Sequence, residues 1–459
     1  MKRMRKRSNS TSLMDEQRGR EADSLPQPQG SNGHRIFGHT LGCRLNAYET
    51  EAILEEFRLR CGMERVSDAR NATVILVNTC AVTGRSTARS RKAVRSFRRR
   101  TGATVVVTGC VAQVTPEEFD DQEVMLLPNT SKDRLVDAVA ETLGITPKRI
   151  PFAGHGKNAI FPACAPEVMS RTRAFLKVQD GCDNRCTYCI VPAARGPSRS
   201  QPREMVLKQA EKLTGAGFRE ILLTGVDLAG YGKDLYRDSY GLIDLVRDLL
   251  GIGGFRLRLS SMEPMGLRAE MLRGLAFPGV CRHLHIPLQS GSDRILERMG
   301  RKYGAEDIRT LFDTALELFP GIGIGSDVIV GFPGETGEDF QRTVELISHP
   351  AVAYLHVFPF SPRPGTPAAS MHSDMLHPET VTERARELRS LSRRKRRVFR
   401  ESRLGSEVLA LVESRVHEST GRLIGMTDNY IPVISPPGSV EGEMVRMTLE
   451  RDNVCWDTR

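Results

Sequence analysis

The sequence predicts an α/β protein in three parts: an N-terminal doubly wound α/β domain, a central partial (β/α)6 barrel and a small C-terminal β-barrel. Three observations predict it. Between His34 and Ile145, apolar strand-like runs alternate with segments of helical periodicity. Between Ala174 and Phe358, six strand-like runs recur with helical segments between them. After Gly405 the runs shorten, and turns separate them. The expected boundaries are an arm at 1–33, domains at 34–145, 171–400 and 401–459, and a linker at 146–170 rich in Pro, Gly and Ala.

A chain of 459 residues has room for such a division, at ~150 residues per domain. Ten cysteines in this length do not make a small secreted disulfide scaffold. Their grouping points to metal or cluster ligation in a reducing compartment. The net charge of +10 favours a polyanionic partner, most simply nucleic acid; a solvated basic surface is the bland alternative. The arm opens Lys2-Arg3-Met4-Arg5-Lys6-Arg7, but no apolar run follows, so it is not a secretory signal. It reads as a disordered arm that touches RNA, or as an extension with no role. No apolar run approaches the ~20 residues of a membrane helix. The expectation is a cytoplasmic, soluble protein with no membrane partner.

In the first domain, Arg35–His39 reads as a strand, Thr40–Asn46 as a loop and Ala47–Arg58 as a helix. Thr73–Val77 is a buried strand, Thr83–Arg100 a basic helix and Thr104–Thr108 a third strand. A strand near 123–127 and a helix near 131–143 follow. Cys43, Cys80 and Cys110 each fall just after a strand. In a parallel sheet such positions converge at the carboxyl edge, where ligands bind. Any one alone is more often a small buried hydrophobe; three together look like a three-thiolate cluster site. The basic helix carries Arg85, Arg89, Arg91, Lys92, Arg95, Arg98, Arg99 and Arg100, suited to phosphates, with Ala88, Val94 and Phe97 as the expected buried side. A solvated charged face is equally consistent with any single one of them.

The first barrel strand, Ala174–Val178, leads into Asp180-Gly-Cys182-Asp-Asn-Arg-Cys186-Thr-Tyr188-Cys189. Three thiolates in a C-x3-C-x2-C array can hold three irons of a cubic iron–sulfur cluster. No fourth cysteine lies within reach, so one iron stays open for a substrate. A zinc site would want a fourth soft ligand, which nearby residues do not offer. The array resembles the signature of radical S-adenosylmethionine (SAM) enzymes. That resemblance implies a [4Fe–4S] cluster on Cys182, Cys186 and Cys189 whose open iron chelates SAM, with Tyr188 beside it.

The remaining strands are expected at 220–224, 256–260, 283–288, 323–330 and 353–358, with helices at 202–216, 241–250, 268–276, 292–299, 305–318 and 337–348. The carboxyl ends of the strands supply further candidates for SAM or substrate contact: Gly225 and Asp227, Ser261 and Glu263, Gln289 and Ser290, and Asp327 with the 331–336 turn. Each has a structural alternative, because Gly and Pro set turns and Ser or Asp caps helices. His283 and His285 face one side of a strand; a pocket lining is the default and a metal pair the alternative. Gly321-Ile-Gly-Ile-Gly325 precedes a strand and is not a dinucleotide fingerprint. The loop Phe358–Pro367 closes the barrel, and its Arg363 could meet an acidic group of the substrate. A charged helix at 380–403 then feeds strands expected at 408–412, 422–426, 430–434 and 444–449. Cys61, Cys281 and Cys455 read as structural, and Cys164 has no partner.

The stretches Thr40-Leu-Gly-Cys43, Asn78-Thr-Cys80-Ala-Val-Thr83 and Thr108-Gly-Cys110-Val-Ala-Gln113 resemble the N-terminal domain of the radical-SAM methylthiotransferases. The resemblance covers nearly everything from His34 onward. It implies an auxiliary [4Fe–4S] cluster on Cys43, Cys80 and Cys110 that carries the transferred sulfur, a radical-SAM core, and a C-terminal RNA-binding domain of the TRAM kind. It implies two uses of SAM, one as methyl source and one as radical source. Thr40–Thr50 and His356–Thr366 look like the MtaB type, which methylthiolates carbon 2 of N6-threonylcarbamoyladenosine beside the tRNA anticodon. Arg44-Leu45, where that type more often has Lys-Val, is a mild departure. The implied partners are the anticodon stem-loop of tRNA and an electron donor such as flavodoxin or ferredoxin, with no DNA. The alternatives are a MiaB-type enzyme acting on isopentenyladenosine, a RimO-type enzyme acting on a ribosomal protein, and a zinc-dependent RNA-binding protein.

Overall fold

A computed structural model describes residues 33–148, 172–237 and 239–456. The basic arm up to residue 32, nearly all of the expected linker and Cys164 lie outside the described residues. The N-terminal domain is a five-stranded parallel sheet in the order Glu64–Arg65, Arg35–Thr40, Val74–Thr79, Thr104–Gly109, Met125–Leu126. It is doubly wound. Ile53, Leu54 and Phe57 of helix Arg44–Cys61 cover one face with Leu135 and Val139. Val94 and Phe97 of helix Gly84–Arg100 cover the other.

Local differences from the sequence reading have local causes. The first helix begins at Arg44, inside the expected loop, because Cys43 is still extended and Gly42 takes a left-handed turn at φ 94°. In the basic helix the buried row is Thr87, Ser90 and Val94, with Ala88 exposed. Those three lie three and four residues apart on one stripe, and Ala88 sits a step off it. The helix expected at 131–143 opens as a 3₁₀ segment, Asn129–Arg134, before Leu135–Thr142.

The central domain has six parallel strands in chain order: Ala174–Lys177, Glu220–Thr224, Arg256–Leu259, His283–His285, Gly323–Val330 and Val352–Pro359. Parallel bridges from Leu257 to Val280 and from Ser261 to His285 join its two halves. The fourth strand is shorter than its apolar run suggests. The strands curve into a half-barrel. Ala174, Leu176, Ile221, Leu223, Leu257 and Leu259 pack outward under the helices. The alternating residues, among them Lys177, Glu220, Arg258, His283 and His285, face the lumen and are buried there. Tyr48 and Ala52 of the first helix pack on Phe175 and Leu222 of the lumen.

Helix Pro378–Glu401 crosses the expected boundary at 400 and packs on the last barrel strand, where Ser392 Oγ accepts from Leu355 N–H at 2.9 Å. It leads into an antiparallel sheet of Pro432–Ile434, Leu423–Thr427, Glu407–Val416 and Met444–Thr448, in that order, with Val454 bridging to Val433. Among the described residues this is a curved open sheet more than a closed barrel. It caps the amino ends of the barrel strands. Arg256 donates to Leu409 and Met426 carbonyls, and Arg258 to Asp428 and Thr427 carbonyls. Both arginines also bind Glu220. Burial would raise the Glu220 carboxyl, but Arg258 and Arg256 hold it down at about 2.

The N-terminal and central domains meet in a buried knot of charge. Glu49 binds Lys132 Nζ at 2.5 Å, Lys177 Nζ at 2.7 Å and Arg195 Nη1 at 2.8 Å. Asp180 binds Lys177 at 2.7 Å and Arg195 at 2.9 Å. Burial would raise the Glu49 carboxyl, yet Arg195, Lys132 and Lys177 hold it well below 4.5. Replacing Glu49 with Ala leaves three buried cations short of an anion, and should cost about 3–5 kcal/mol in unfolding free energy by denaturant titration. Because the folded value lies below the unfolded one, the stabilisation from this carboxylate is complete above pH 4.5 and fades as pH falls through the folded value. Acid titration of stability should show that loss in the wild type and not in E49A.

Candidate active site

Each cysteine of the first triad sits at a carboxyl edge of the N-terminal sheet, after strands ending at Thr40, Thr79 and Gly109. Backbone geometry brings them together. A Cβ on Gly42 would lie 2.4 Å from Cys80 Cβ, and one on Gly109 would lie 2.4 Å from the Thr79 carbonyl. Only glycine lets the first loop lie on Cys80 and lets Cys110 open its helix, Cys110–Val114. Burial pushes the Cys80 thiol up to about 11 and raises that of Cys110. Cys43 and Cys110 add to the rise at Cys80, while the Arg195 guanidinium pulls Cys110 the other way.

The second triad lies on the loop after the first barrel strand. Cys182 N–H donates to Gly196 O at 3.1 Å, and Cys189 N–H to Cys186 O at 3.1 Å. Thr187 is held to the barrel through Met299 O, Arg298 O and Ala368 N. Burial pushes Cys182 to about 11 and Cys189 to about 12, and raises Cys186. The six cysteines of the two triads form no disulfide. Cys61, Cys281 and Cys455 are buried away from both triads.

The segments that carry the two triads pack on each other. Cys110, Val111 and Ala112 pack with Ile190 and Ala194, one and five residues after Cys189. Asn129 Nδ2 donates to Ala194 O at 2.7 Å and lies 3.9 Å from Cys110 Sγ. A zinc ion at ~2.3 Å from each sulfur would draw thiolates to about 4 Å of one another. Neither triad draws all its sulfurs within 4.8 Å; among the described residues only His285, Asp327 and His356 bring three ligand atoms that close. The wider spacing and the all-thiol donor set fit a multi-iron cluster better than a single ion. Arg195 draws the Cys110 sulfur toward thiolate, but burial outweighs it and leaves that thiol raised.

The other candidates fall into three groups. At the cluster loop, Arg301 binds Glu263 and donates to Tyr188 OH at 2.6 Å. Burial raises both Glu263 and Tyr188. Arg301 was not singled out in the sequence; one arginine after a helix carries no signal. At the second strand end, Gln179 Oε1 accepts from Val226 and Asp227 N–H, both at 2.8 Å, and a Cβ on Gly225 would lie 2.9 Å from that oxygen. Gln179 was likewise invisible in the sequence. Asp227 is raised by burial and accepts from Asn184 Nδ2 at 3.4 Å.

At the fourth and fifth strands, Gln289 is held at φ 65°, bonded through its backbone to Asp327 and Ile329. Asp327 Oδ1 accepts from His285 Nε2 at 2.8 Å and His356 Nδ1 at 3.2 Å. Burial would raise this carboxyl, but the two imidazoles hold it well below the usual range. His283 parts from His285 and meets Tyr354 OH at 2.9 Å. Ser261 is half-buried beside the His285 bridge. Ser290 is fully buried, its hydroxyl shared by Thr343 and Ser292 N–H. Glu335 closes its own turn on Gly331 N and binds Arg384. Arg363 is buried away from the lumen, donating to Thr87 Oγ1 at 3.0 Å, and Ser361 accepts from Gly84. The barrel-closing loop therefore docks on the basic helix.

Residues 176–347 match the Radical SAM superfamily, and residues 35–127 match the uncharacterized protein family UPF0004. The chain is 38% identical over 415 residues to threonylcarbamoyladenosine tRNA methylthiotransferase MtaB of Bacillus subtilis (strain 168), covering 86% of this chain and 89% of that one. It is 37% identical to the enzyme of the same name from Aquifex aeolicus (strain VF5), covering 90% of this chain and all of that one. Among solved structures, the radical SAM methyltransferase TsrM from Kitasatospora setae, with cobalamin and a [4Fe–4S] cluster bound, superposes with a TM-score of 0.52 at 17% identity, over 73% of this chain and 77% of that one. That likeness shows the fold. The sequence likeness, spanning both cysteine-bearing domains, shows that the chain belongs to the radical-SAM methylthiotransferase family.

Proposed function

We propose that this protein methylthiolates carbon 2 of N6-threonylcarbamoyladenosine in the anticodon loop of tRNA. The observation that carries the reading is that the segments bearing the two thiol triads pack on each other, linked through Asn129 and the packing of Cys110 on Ala194. A substrate atom can then meet both chemistries without leaving the site. Cys182, Cys186 and Cys189 would hold a SAM-binding [4Fe–4S] cluster, and Cys43, Cys80 and Cys110 an auxiliary one. With SAM these groups supply the reductive radical chemistry, the methyl group and the sulfur that an unreactive aromatic C–H bond requires. The chain's own residues bind and orient. Arg301 steadies the cluster loop through Tyr188 and pairs with Glu263. Gln179 holds the 225–227 turn against the first strand. Asp227 offers a half-buried carboxylate to an ammonium group, and Asp327 aligns two imidazoles over the lumen.

The basic helix supports RNA as the partner. Arg91, Arg95 and Arg98 pair with Glu118, Asp121 and Glu123. Arg85, Arg89, Lys92, Arg99 and Arg100 are exposed and have no carboxylate partner among the described residues. These five suit phosphates better than the paired three. No helix among the described residues is long and apolar enough to cross a membrane, in keeping with a cytoplasmic place of action. A small reductant of the flavodoxin or ferredoxin kind would supply electrons.

The test is nucleoside mass analysis of tRNA from cells with and without the protein. Loss of the methylthio group only from threonylcarbamoyladenosine supports the reading. Loss from isopentenyladenosine moves the substrate, and no change in either rejects tRNA adenosine. In anaerobically reconstituted protein, Cys110→Ala and Cys189→Ala should each lower bound iron by about half, since each removes one of two like clusters; zinc without iron in the wild type would sink the cluster assignment. Replacing Arg85, Arg89 and Lys92 by Ala should flatten the salt dependence of tRNA binding by roughly one unit of log–log slope per residue. Arg95→Ala should do less, because Asp121 already engages that guanidinium.

A further inference from the structure

The lumen opens into a cavity of about 450 Å³ that the catalytic reading leaves unassigned. All three domains line it. Arg44 comes from the N-terminal domain, Tyr354 and His356 from the last barrel strand, and Tyr430 from the C-terminal sheet. The volume is that of a small-molecule or nucleoside site. Its charge is lopsided: Arg44, Arg173, Arg396, Arg400 and Arg415 line it against one acid, Glu413. Four of these arginines are engaged. Arg173 and Arg415 both bind Glu413, Arg400 donates to the carbonyls of Cys455 and Trp456, and Arg396 lies over the Tyr354 ring at 5.6 Å. Arg44 has neither a hydrogen bond nor a carboxylate partner among the described residues, and it is half-buried.

The wall beside Arg44 is aromatic. Tyr354 and Tyr430 lie near-parallel at 5.8 Å, and His283 stacks on Tyr430 at 4.4 Å. Tyr430 reaches this position from a left-handed backbone, φ 70°, in a turn tied by Thr427 Oγ1 to Asn429 and Ile431. Such a conformation in a tyrosine persists only where the surroundings enforce it. The glycines that carried no fingerprint make the room: a Cβ on Gly325 would strike the Tyr354 ring at 2.3 Å, and one on Gly323 the Asn429 carbonyl at 2.5 Å.

We infer that this cavity receives the N6 substituent of the target adenine, and that Arg44 is the specificity-determining residue that binds its carboxylate. The inference rests on the methylthiotransferase reading above. The chemistry it names is a flat heteroaromatic group with an acidic side arm. A guanidinium with no partner, in a cavity with surplus positive charge, takes a carboxylate in preference to an apolar chain. Arg44 directly follows Cys43, so the anion would be anchored one residue from the auxiliary triad. An isopentenyl arm would leave the guanidinium unpaired, which is the repulsive half of the discrimination.

The test uses two synthetic anticodon stem-loops, one carrying N6-threonylcarbamoyladenosine and one carrying its carboxyl-capped methylamide. Affinities for the full, cluster-loaded chain are read anaerobically by fluorescence anisotropy, and methylthio transfer is read separately. The wild type should bind the acid roughly ten- to hundred-fold tighter than the amide. R44L should bring that ratio near one, and R44K should restore part of it. The ratio is taken within each protein, so a general loss of affinity or of cluster drops out. Equal binding of acid and amide by the wild type overturns the carboxylate site. A ratio unchanged in R44L, or abolished by R363L instead, overturns the assignment to Arg44. If the wild type prefers the acid but transfers no methylthio group to it, the proposed function falls and the binding site stands. If it transfers to both RNAs and binds them alike, the reverse holds.

Discussion

Five buried charges, Glu49, Lys132, Lys177, Asp180 and Arg195, hold the functional geometry together. Glu49 and Lys132 belong to the N-terminal domain, the other three to the barrel and its cluster loop. Buried ion pairs are poor sources of net stability, because desolvation offsets most of their attraction. Their value here is directional. Each carboxylate must meet cations from particular elements, so a slip of one domain against the other would strand a charge in a dry interior. Asp180 lies two residues before Cys182, and Arg195 six after Cys189. Docking the domains therefore sets the relation between the thiol triads.

The same constraint governs the charge seen by the cysteines. Alone, burial holds these thiols protonated, with Cys80 and Cys182 near 11 and Cys189 near 12. Arg195 and Lys132 pull Cys110 toward thiolate, and Arg301 does the same for Cys186 and Cys189. An iron bound at these thiols would have to displace their protons. At the other end of the lumen, Glu220 with Arg256 and Arg258 plays a parallel part. These three seat the C-terminal sheet and so position Tyr430.

Much of this could be read from one sequence. Val74–Thr79 and Glu220–Thr224 are wholly buried strands, and their largely apolar composition is enough to mark them as such. Cys43, Cys80 and Cys110 were found because a parallel sheet gathers its strand ends. Gln179, Arg301 and Asn129 were missed because each acts on a neighbour far away in the chain, and a lone polar residue carries no periodicity. The expected buried side of the basic helix held at Val94 and slipped at Ala88, since apolar character alone does not say which way a residue faces. Arg363 sits at the predicted loop but turns to Thr87, because the loop docks on the basic helix and not on the lumen.

By itself the sequence determined the element order, the parallel winding and the two sets of three cysteines, because periodicity and spacing are local properties. Only the tertiary structure decided that the segments bearing the two triads pack on each other, that three domains share one lumen, and that Arg44 stands there without an acidic partner. Those are facts about contacts between distant segments. They depend on which buried charges find one another when the domains close, and no local pattern records that pairing.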